Sequence, residues 1–325
     1  MNYHYTEIRM LAVRIENGVV SLQEAAPAPR PAGYSLLRLR RGGICNTDLE
    51  LQRGYYGFAG VPGHEFVADV VESDDSALTG KRVIGEINLA CGACDWCARG
   101  LGRHCPTRTV LGIVKHPGAF QEFFTLPDRN LHVLPESIPD DVAVFAEPVA
   151  AACEILDQVA IPPGAPVAVL GDGKLGLLIA QVLALHGCAV RLFGRHREKL
   201  RIAEPAGVST EIAGAVLPVA AYDWVVDATG SAEGLRAAVA MTRPRGTLIM
   251  KSTVHGLVPV DTAPIIVNEL TLVGSRCGRM EAALPLLAEG RLRVQDMISD
   301  RFPLAEAPKA FARAAEKGVV KVLLQ

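Results

Sequence analysis

Two patterns of apolar and polar positions divide the chain. Up to about residue 135, apolar residues come in short runs broken by glycine and proline. Val19-Val20 follows Asn17-Gly18, a dipeptide that favours a tight hairpin turn. Ser35–Arg40, Val67–Val71 and Lys81–Ile84 read as further strands, and Ala26–Pro31 as a loop. Short strands joined by Gly/Pro turns predict a small β-barrel.

The pattern changes near residue 139. Residues 140–160 have helical periodicity, and Pro162-Pro163-Gly164 ends them. Val167–Leu170 is an unbroken apolar run, as a buried parallel strand requires, and a glycine turn and a long apolar helix follow. Strands at 189–193, 224–227, 246–250 and 270–273 then alternate with helical segments. That alternation predicts a doubly wound parallel sheet. A helix at 304–316 and a strand at 319–324 close the chain.

Composition narrows the functional classes. The 325 residues suggest two domains, at roughly 150 residues each. Half are apolar, which suffices for large cores. The 33 basic and 35 acidic residues nearly cancel, and aromatics make up 5%, so nucleic acid is not an expected partner. Met1–Glu7 carries no basic region leading into an apolar one. The longest apolar stretch, Leu175–Leu185, is too short to span a bilayer. The expectation is a cytoplasmic protein with no membrane partner.

Four of the eight cysteines, Cys91, Cys94, Cys97 and Cys105, fall within fifteen residues. A C-x2-C-x2-C-x7-C cluster in a long chain points to a metal rather than to disulfides. Four thiolates suit a closed tetrahedral structural zinc site. An iron–sulfur cluster is the competitor, but the last gap exceeds the usual ferredoxin spacing. Cys153, Cys188 and Cys277 stand alone, as small buried apolar residues do.

Gly171-Asp-Gly173-Lys174-Leu175-Gly176 is a G-x-G-x-x-G string between a predicted strand and a predicted helix. In that setting the string marks a dinucleotide site, with the pyrophosphate at the helix N-terminus. About 20 residues on, an acidic residue would bind the ribose 2′-hydroxyl of NAD. This chain has Gly194-Arg195-His196-Arg197 there. Guanidinium groups beside a small residue suit a 2′-phosphate, so NADP is favoured over NAD. Lys251, Ser252 and Thr253 follow a Rossmann-type strand and are candidates to approach the nicotinamide ring, and Arg276, after the next strand, is a candidate for the cofactor phosphates.

A second candidate metal site is dispersed. Cys45 with Thr47 and Asp48, and Gly63-His64-Glu65, offer zinc-type ligands away from the cysteine cluster.

These motifs together resemble the zinc-dependent medium-chain alcohol dehydrogenases. The resemblance runs nearly end to end, through Cys45-x-Thr47-Asp48, Pro62-Gly63-His64-Glu65-Phe66, the cysteine cluster and Ala146-Glu147-Pro148. It continues through the glycine turn, Asp227-Ala228-Thr229-Gly230 and the closing Lys321-Val322-Leu323-Leu324. It implies an α/β protein: a GroES-like β-barrel catalytic domain (1–138 plus 276–325, with a structural zinc lobe at 90–106) and an inserted Rossmann domain (139–275).

The resemblance further implies two zinc ions per chain. The catalytic one would be held by Cys45, His64 and Glu147, with Glu147 where a second cysteine often stands. Glu65 would be an alternate ligand, and Asp48 would orient His64. Zinc would act as a Lewis acid while hydride passes between the substrate carbon and the nicotinamide. Thr47 would relay the alcohol proton, and Thr229 would belong to the cofactor site. Many relatives have histidine where this chain has Glu50, which would have to accept the relayed proton instead. Tyr55, Tyr56 and Phe58 follow the zinc loop and would either line the substrate pocket or pack under the Gly54/Gly57 loop, and Glu154 carries no assigned role.

The expected substrate is a small alcohol, polyol or carbonyl, and the expected assembly a homodimer or homotetramer. A zinc-free reductase of the same fold and a dinucleotide-binding protein without turnover are the rival readings. The intact ligand set argues against both.

Overall fold

The computed structural model describes residues 9–214, 216–252 and 258–325. The chain forms two compact units, Met1–Glu147 with Ile298–Gln325, and Pro148–Met297. The sequence placed the borders at 138/139 and 275/276; the contacts place them at 147/148 and 297/298. Two anchors explain the shift. Asp140 accepts from Arg40 (2.8 Å) and Arg82 (2.8 Å), which fixes the helix Asp140–Ala143 to the first unit. The helix Met280–Ala288 belongs to the second, where Arg279 pairs with Asp157 at 3.1 Å and the Cys153 thiol faces the Ala282 carbonyl at 3.8 Å.

The first unit opens with the expected hairpin, Met10–Glu16 against Val19–Ala25, with Asn17 (φ 51°) and Gly18 (φ 79°) at the turn. Its main sheet runs in the order Leu131–Val133, Arg82–Gly85, Glu65–Glu72, Tyr34–Ile44, Lys321–Leu324, Ile298–Phe302, and Phe123–Pro127 also pairs with Tyr34–Ile44. The C-terminal strand lies antiparallel to the end of Tyr34–Ile44, with Val322 opposite Ile44. The last residues of the chain are thereby brought beside Cys45. Val13, Ile15, Ile44, Phe120, Phe311 and Leu324 form part of the core, and the Phe120 and Phe311 rings meet edge to face.

The second unit is built on a parallel sheet in the order Ser209–Ile212, Ala189–Gly194, Pro166–Leu170, Tyr222–Asp227, Thr242–Met250, Thr271–Gly274. Strand order reverses direction beside Pro166–Leu170, which creates a crevice at the carboxyl ends of the strands there. Ala168, Leu170, Phe193, Val225 and Leu248 fill one side of the sheet.

The helix expected over 140–160 is two helices, Asp140–Ala143 and Ala146–Gln158. Pro148 has no N–H to donate to the Val144 carbonyl, so the first helix stops and the second starts with proline in its first turn. The helix expected over 304–316 likewise starts afresh at Ala307, with Pro308 in its first turn, and ends at Ala314. Among the described residues, no helix is long and apolar enough to cross a membrane.

Candidate metal centre and dinucleotide site

Cys45 closes the strand Tyr34–Ile44 and caps the helix Asn46–Gln52. Asp48 in the first turn is fully buried. Its Oδ2 accepts the Cys45 N–H at 2.9 Å and its Oδ1 the Gly63 N–H at 3.2 Å. Oδ1 also faces His64 Nδ1 across 3.4 Å, long for a hydrogen bond. One carboxylate thus fixes both ligand-bearing loops and turns the other ring nitrogen of His64, Nε2, away from itself. Gly63 adopts φ 101°, and a Cβ there would run into the Phe120 ring.

Glu65 begins the next strand, opposite Gly43. A Cβ on Gly43 would collide with the Glu65 carboxylate, so glycine at 43 is what lets that carboxylate lie over the strand towards Cys45. Glu65 Oε2 accepts from Lys321 Nζ, and both side chains are 1% exposed. The lysine also lies 5.5 Å from the centre of the Phe145 ring. Glu65 Oε1 is buried without a hydrogen-bond partner.

Cys45, His64 and Glu65 each offer a donor atom within 4.8 Å of the others. Two buried carboxylates, Asp48 and Glu65, stand beside these donors, Glu65 paired with Lys321 and Asp48 facing His64. Burial pulls the pKa of the His64 ring down, but Asp48 and Cys45 outweigh it and hold it well above the ordinary histidine value. Burial pushes the Glu147 carboxyl up to about 7, with Glu65 adding to the effect and His64 and Lys321 opposing it. Sulfur, nitrogen and oxygen donors converging beside buried carboxylates, with an orphaned carboxylate oxygen, fit a zinc ion.

Glu147 stands near the end of the first unit and feels the charges of His64 and Glu65, but it is not one of the three mutually close donors. Glu65, expected as the alternate ligand, is. Thr47 Oγ1 lies 3.7 Å from Cys45 Sγ. Glu50 is turned to Arg53, which it meets at 2.6 Å. Tyr55 packs on the core of the first unit, while Tyr56 is exposed.

The four clustered cysteines also converge. Their sulfurs approach to 3.5 Å (Cys94–Cys97), 3.8 Å (Cys94–Cys105) and 3.9 Å (Cys91–Cys97). A tetrahedron with Zn–S bonds of about 2.3 Å has edges of about 3.8 Å. No cysteine is in a disulfide.

In the second unit, Gly171 (φ 112°) leads out of Pro166–Leu170 so tightly that a Cβ would lie 2.5 Å from the Ala228 carbonyl. A Cβ on Gly176 would strike the Gly171 carbonyl. A Cβ on Gly173, which caps the helix Lys174–Leu185, would meet nothing. Packing therefore demands two of the three glycines; the third leaves open space where a pyrophosphate could approach the backbone.

Thr229 is held by Asp227, which accepts from its N–H (3.0 Å) and its hydroxyl (2.7 Å). The Ser252 hydroxyl accepts the Gly230 N–H at 2.8 Å. Lys251 is buried, and its ammonium donates to the carbonyls of Ala151 (2.5 Å) and Arg276 (2.7 Å) and to Ser275 Oγ (3.1 Å). It thereby fixes the backbone at Arg276. Thr253 lies outside the described residues.

Arg195 and Arg197 have different surroundings. Arg195 is exposed, and among the described residues its guanidinium meets the exposed Glu233 at 3.1 Å. Arg197 is engaged with Thr210 (2.9 Å) and Glu204 (2.9 Å). Two residues now prominent carry no role in the sequence reading: Asp172 is a spacer between glycines there, and Lys321 part of a closing motif. Their spacing carries no signal, because each acts on residues distant in the chain.

Residues 31–136 match the family model described as the alcohol dehydrogenase GroES-like domain, and residues 175–289 the one described as zinc-binding dehydrogenase. A D-altritol 5-dehydrogenase of Agrobacterium fabrum is 31% identical over 317 residues, covering 92% of this chain and 94% of that protein. Among solved structures, a protein described as a zinc-binding dehydrogenase from Sinorhizobium meliloti 1021, bound to NADP, superposes with a TM-score of 0.88. It is 30% identical and covers 98% of this chain and 99% of its own. A short chain alcohol dehydrogenase from Escherichia coli CFT073, complexed with NADH, has the same TM-score, 0.88, at 25% identity, with 98% and 99% covered.

Proposed function

From the premise that the chain belongs to the zinc-dependent medium-chain alcohol dehydrogenases, we propose that it is an NADP-preferring dehydrogenase of sugar alcohols that holds two zinc ions. Family membership makes it an oxidoreductase that uses zinc and a nicotinamide cofactor. The catalytic part of that reading is carried by one observation: Cys45, His64 and Glu65 have zinc-type donor atoms within 4.8 Å of one another.

When bound, zinc polarises the substrate oxygen, and the nicotinamide takes or gives the hydride. The chain's own residues do the rest. Cys45, His64 and Glu65 would hold the ion, with Glu147 as a further carboxylate ligand, while Lys321 keeps one Glu65 oxygen occupied and fixes that side chain. Asp48 sets the His64 ring so that its lone pair at Nε2 is free for the metal. The Thr47 hydroxyl both donates and accepts, so it can carry the substrate proton away from the sulfur side of the pocket. In the second unit the glycine turn offers backbone N–H groups to the pyrophosphate, and Arg195 offers a guanidinium to a 2′-phosphate. Thr229, Ser252 and the backbone of Arg276, fixed by Lys251, border the carboxyl edge of the sheet where the rest of the cofactor would lie.

The polyol class is drawn from the D-altritol 5-dehydrogenase relative. The test joins metal analysis to turnover. Wild type is expected to carry two zinc ions per chain and to oxidise sugar alcohols with NADP. Cys45→Ala is expected to keep one ion, its fold and its cofactor binding, and to lose turnover. Full activity in Cys45→Ala would refute the metal centre, and oxidation of simple alcohols in preference to polyols would refute the substrate class.

A further inference from the structure

The second position of the glycine string is Asp172, and its side chain does not face solvent: the residue is 8% exposed. Oδ2 accepts the backbone N–H groups of Arg195 and His196, both at 2.6 Å. The His196 ring adds a contact from Nδ1, 3.1 Å from the same oxygen. A Cβ on Gly194 would fall 2.5 Å from the Asp172 Cβ and 2.7 Å from Oδ2. Asp172 therefore fills the volume that a side chain at the end of Ala189–Gly194 would need. That is the place where an acidic ribose selector stands in NAD-binding relatives of this fold.

We infer that Asp172 is the positioning residue for cofactor selection: it pins the Gly194–His196 turn and so aims Arg195 at a 2′-phosphate. This rests on the proposed preference for NADP. Two features support it. The carboxylate already has its partners locally, since two successive N–H groups and a ring nitrogen converge on it, as in an anion-binding nest. Its charge is thus spent on the turn and not on ribose hydroxyls. Arg195 is also the guanidinium of the pair that is free to be recruited. Its contact with Glu233 joins side chains that are 70% and 74% exposed, and such a pair holds weakly in water, whereas Arg197 is anchored on Thr210 and Glu204. Selection then depends on where the backbone holds Arg195, and Asp172 decides that.

Dissociation constants of NADPH and NADH for the zinc-loaded protein test this by fluorescence titration. Asp172→Ala is expected to weaken NADPH binding about tenfold and NADH binding less than about threefold. Asp172→Asn keeps an acceptor for both N–H groups and is expected to stay within about threefold of wild type for both cofactors. Asp172→Ala is expected to add nothing to Arg195→Ala, because both remove the same contact. Gly194→Ala, which drives a methyl group into the Asp172 carboxylate, reaches the same contact from the other side and is expected to lower the NADPH preference even if Asp172→Ala does not fold. Three results overturn the inference: tighter NADPH binding in Asp172→Ala, equal weakening of both cofactors, or effects that add to those of Arg195→Ala. An unchanged preference in Gly194→Ala does so too. The wild-type ratio bears on the NADP preference alone. A wild type that prefers NADH refutes that preference, and the role of Asp172 then stands or falls on whether its variants move the ratio.

Discussion

Asp48→Asn isolates the part of the metal centre that contains no ligand. The change keeps the size and shape of the side chain but leaves one acceptor oxygen instead of two. In the wild type, Oδ2 serves the Cys45 N–H at 2.9 Å, and Oδ1 serves the Gly63 N–H at 3.2 Å and faces His64 Nδ1 at 3.4 Å. If the amide oxygen keeps the Cys45 contact, the NH2 group confronts the Gly63 N–H. His64 must then carry its proton on Nε2, which is the wrong tautomer for a metal ligand. If the amide flips, the NH2 group confronts the Cys45 N–H and displaces the backbone of the thiolate ligand. Either way one buried N–H loses its acceptor, at about 1–3 kcal/mol of folding stability. The zinc affinity of the Cys45 site is expected to fall about 10–100-fold, or roughly 1.4–2.7 kcal/mol. Competition against a chromophoric chelator reads this directly, with the four-cysteine site as an internal reference that should not move. A variant that holds zinc at the Cys45 site as tightly as wild type would refute the assignment of Asp48 as the carboxylate that sets His64.

Other perturbations reach the remaining parts of the molecule. Lys321→Met leaves the buried Glu65 carboxylate without its partner and is expected to cost about 3–5 kcal/mol, while Lys321→Met with Glu65→Gln should cost less than the single change. Urea unfolding followed by Trp96 fluorescence in a Trp224→Phe background reports on the first unit alone, and losses that simply add would deny the pair. Gly173→Val should leave the melting temperature unchanged, because a Cβ there meets nothing, yet weaken dinucleotide binding by about tenfold or more. Unaltered binding would place the pyrophosphate elsewhere. Burial pushes the Cys153 thiol from its ordinary 9.0 up to about 11. Between those values the unfolded chain binds fewer protons than the native one, so stability falls as pH rises through that interval. The slope of the urea midpoint between pH 9 and 11 should be shallower in Cys153→Ala, and identical slopes would exclude this source.

The sequence disclosed most where chemistry depends on neighbours in the chain. The Asn17-Gly18 turn, the C-x2-C-x2-C-x7-C lobe and the glycine string are short-range devices: their residues meet because a few intervening residues allow only a few backbone paths. The alternation of strands and helices after residue 139 gave the parallel sheet for the same reason, since each period is local. Helix boundaries were less legible. The break before Ala146 and the late start at Ala307 depend on Pro148 and Pro308, whose local effect is masked by a continuous apolar pattern.

Long-range convergence needed the fold. Lys321 reaches Glu65 across 256 residues of chain, only because the C-terminal strand pairs with the end of Tyr34–Ile44. Glu65 lies with Cys45 and His64, and Glu147 beside them, because Gly43 leaves the carboxylate room. Asp172 reaches Arg195 and His196 because two parallel strands end side by side. The residue types, and so the kinds of metal and cofactor, were set by the sequence. Which carboxylate pairs with which cation, and which arginine is anchored by its neighbours, was decided by tertiary structure. Those choices depend on distances of a few ångströms between segments that only packing and sheet register bring together.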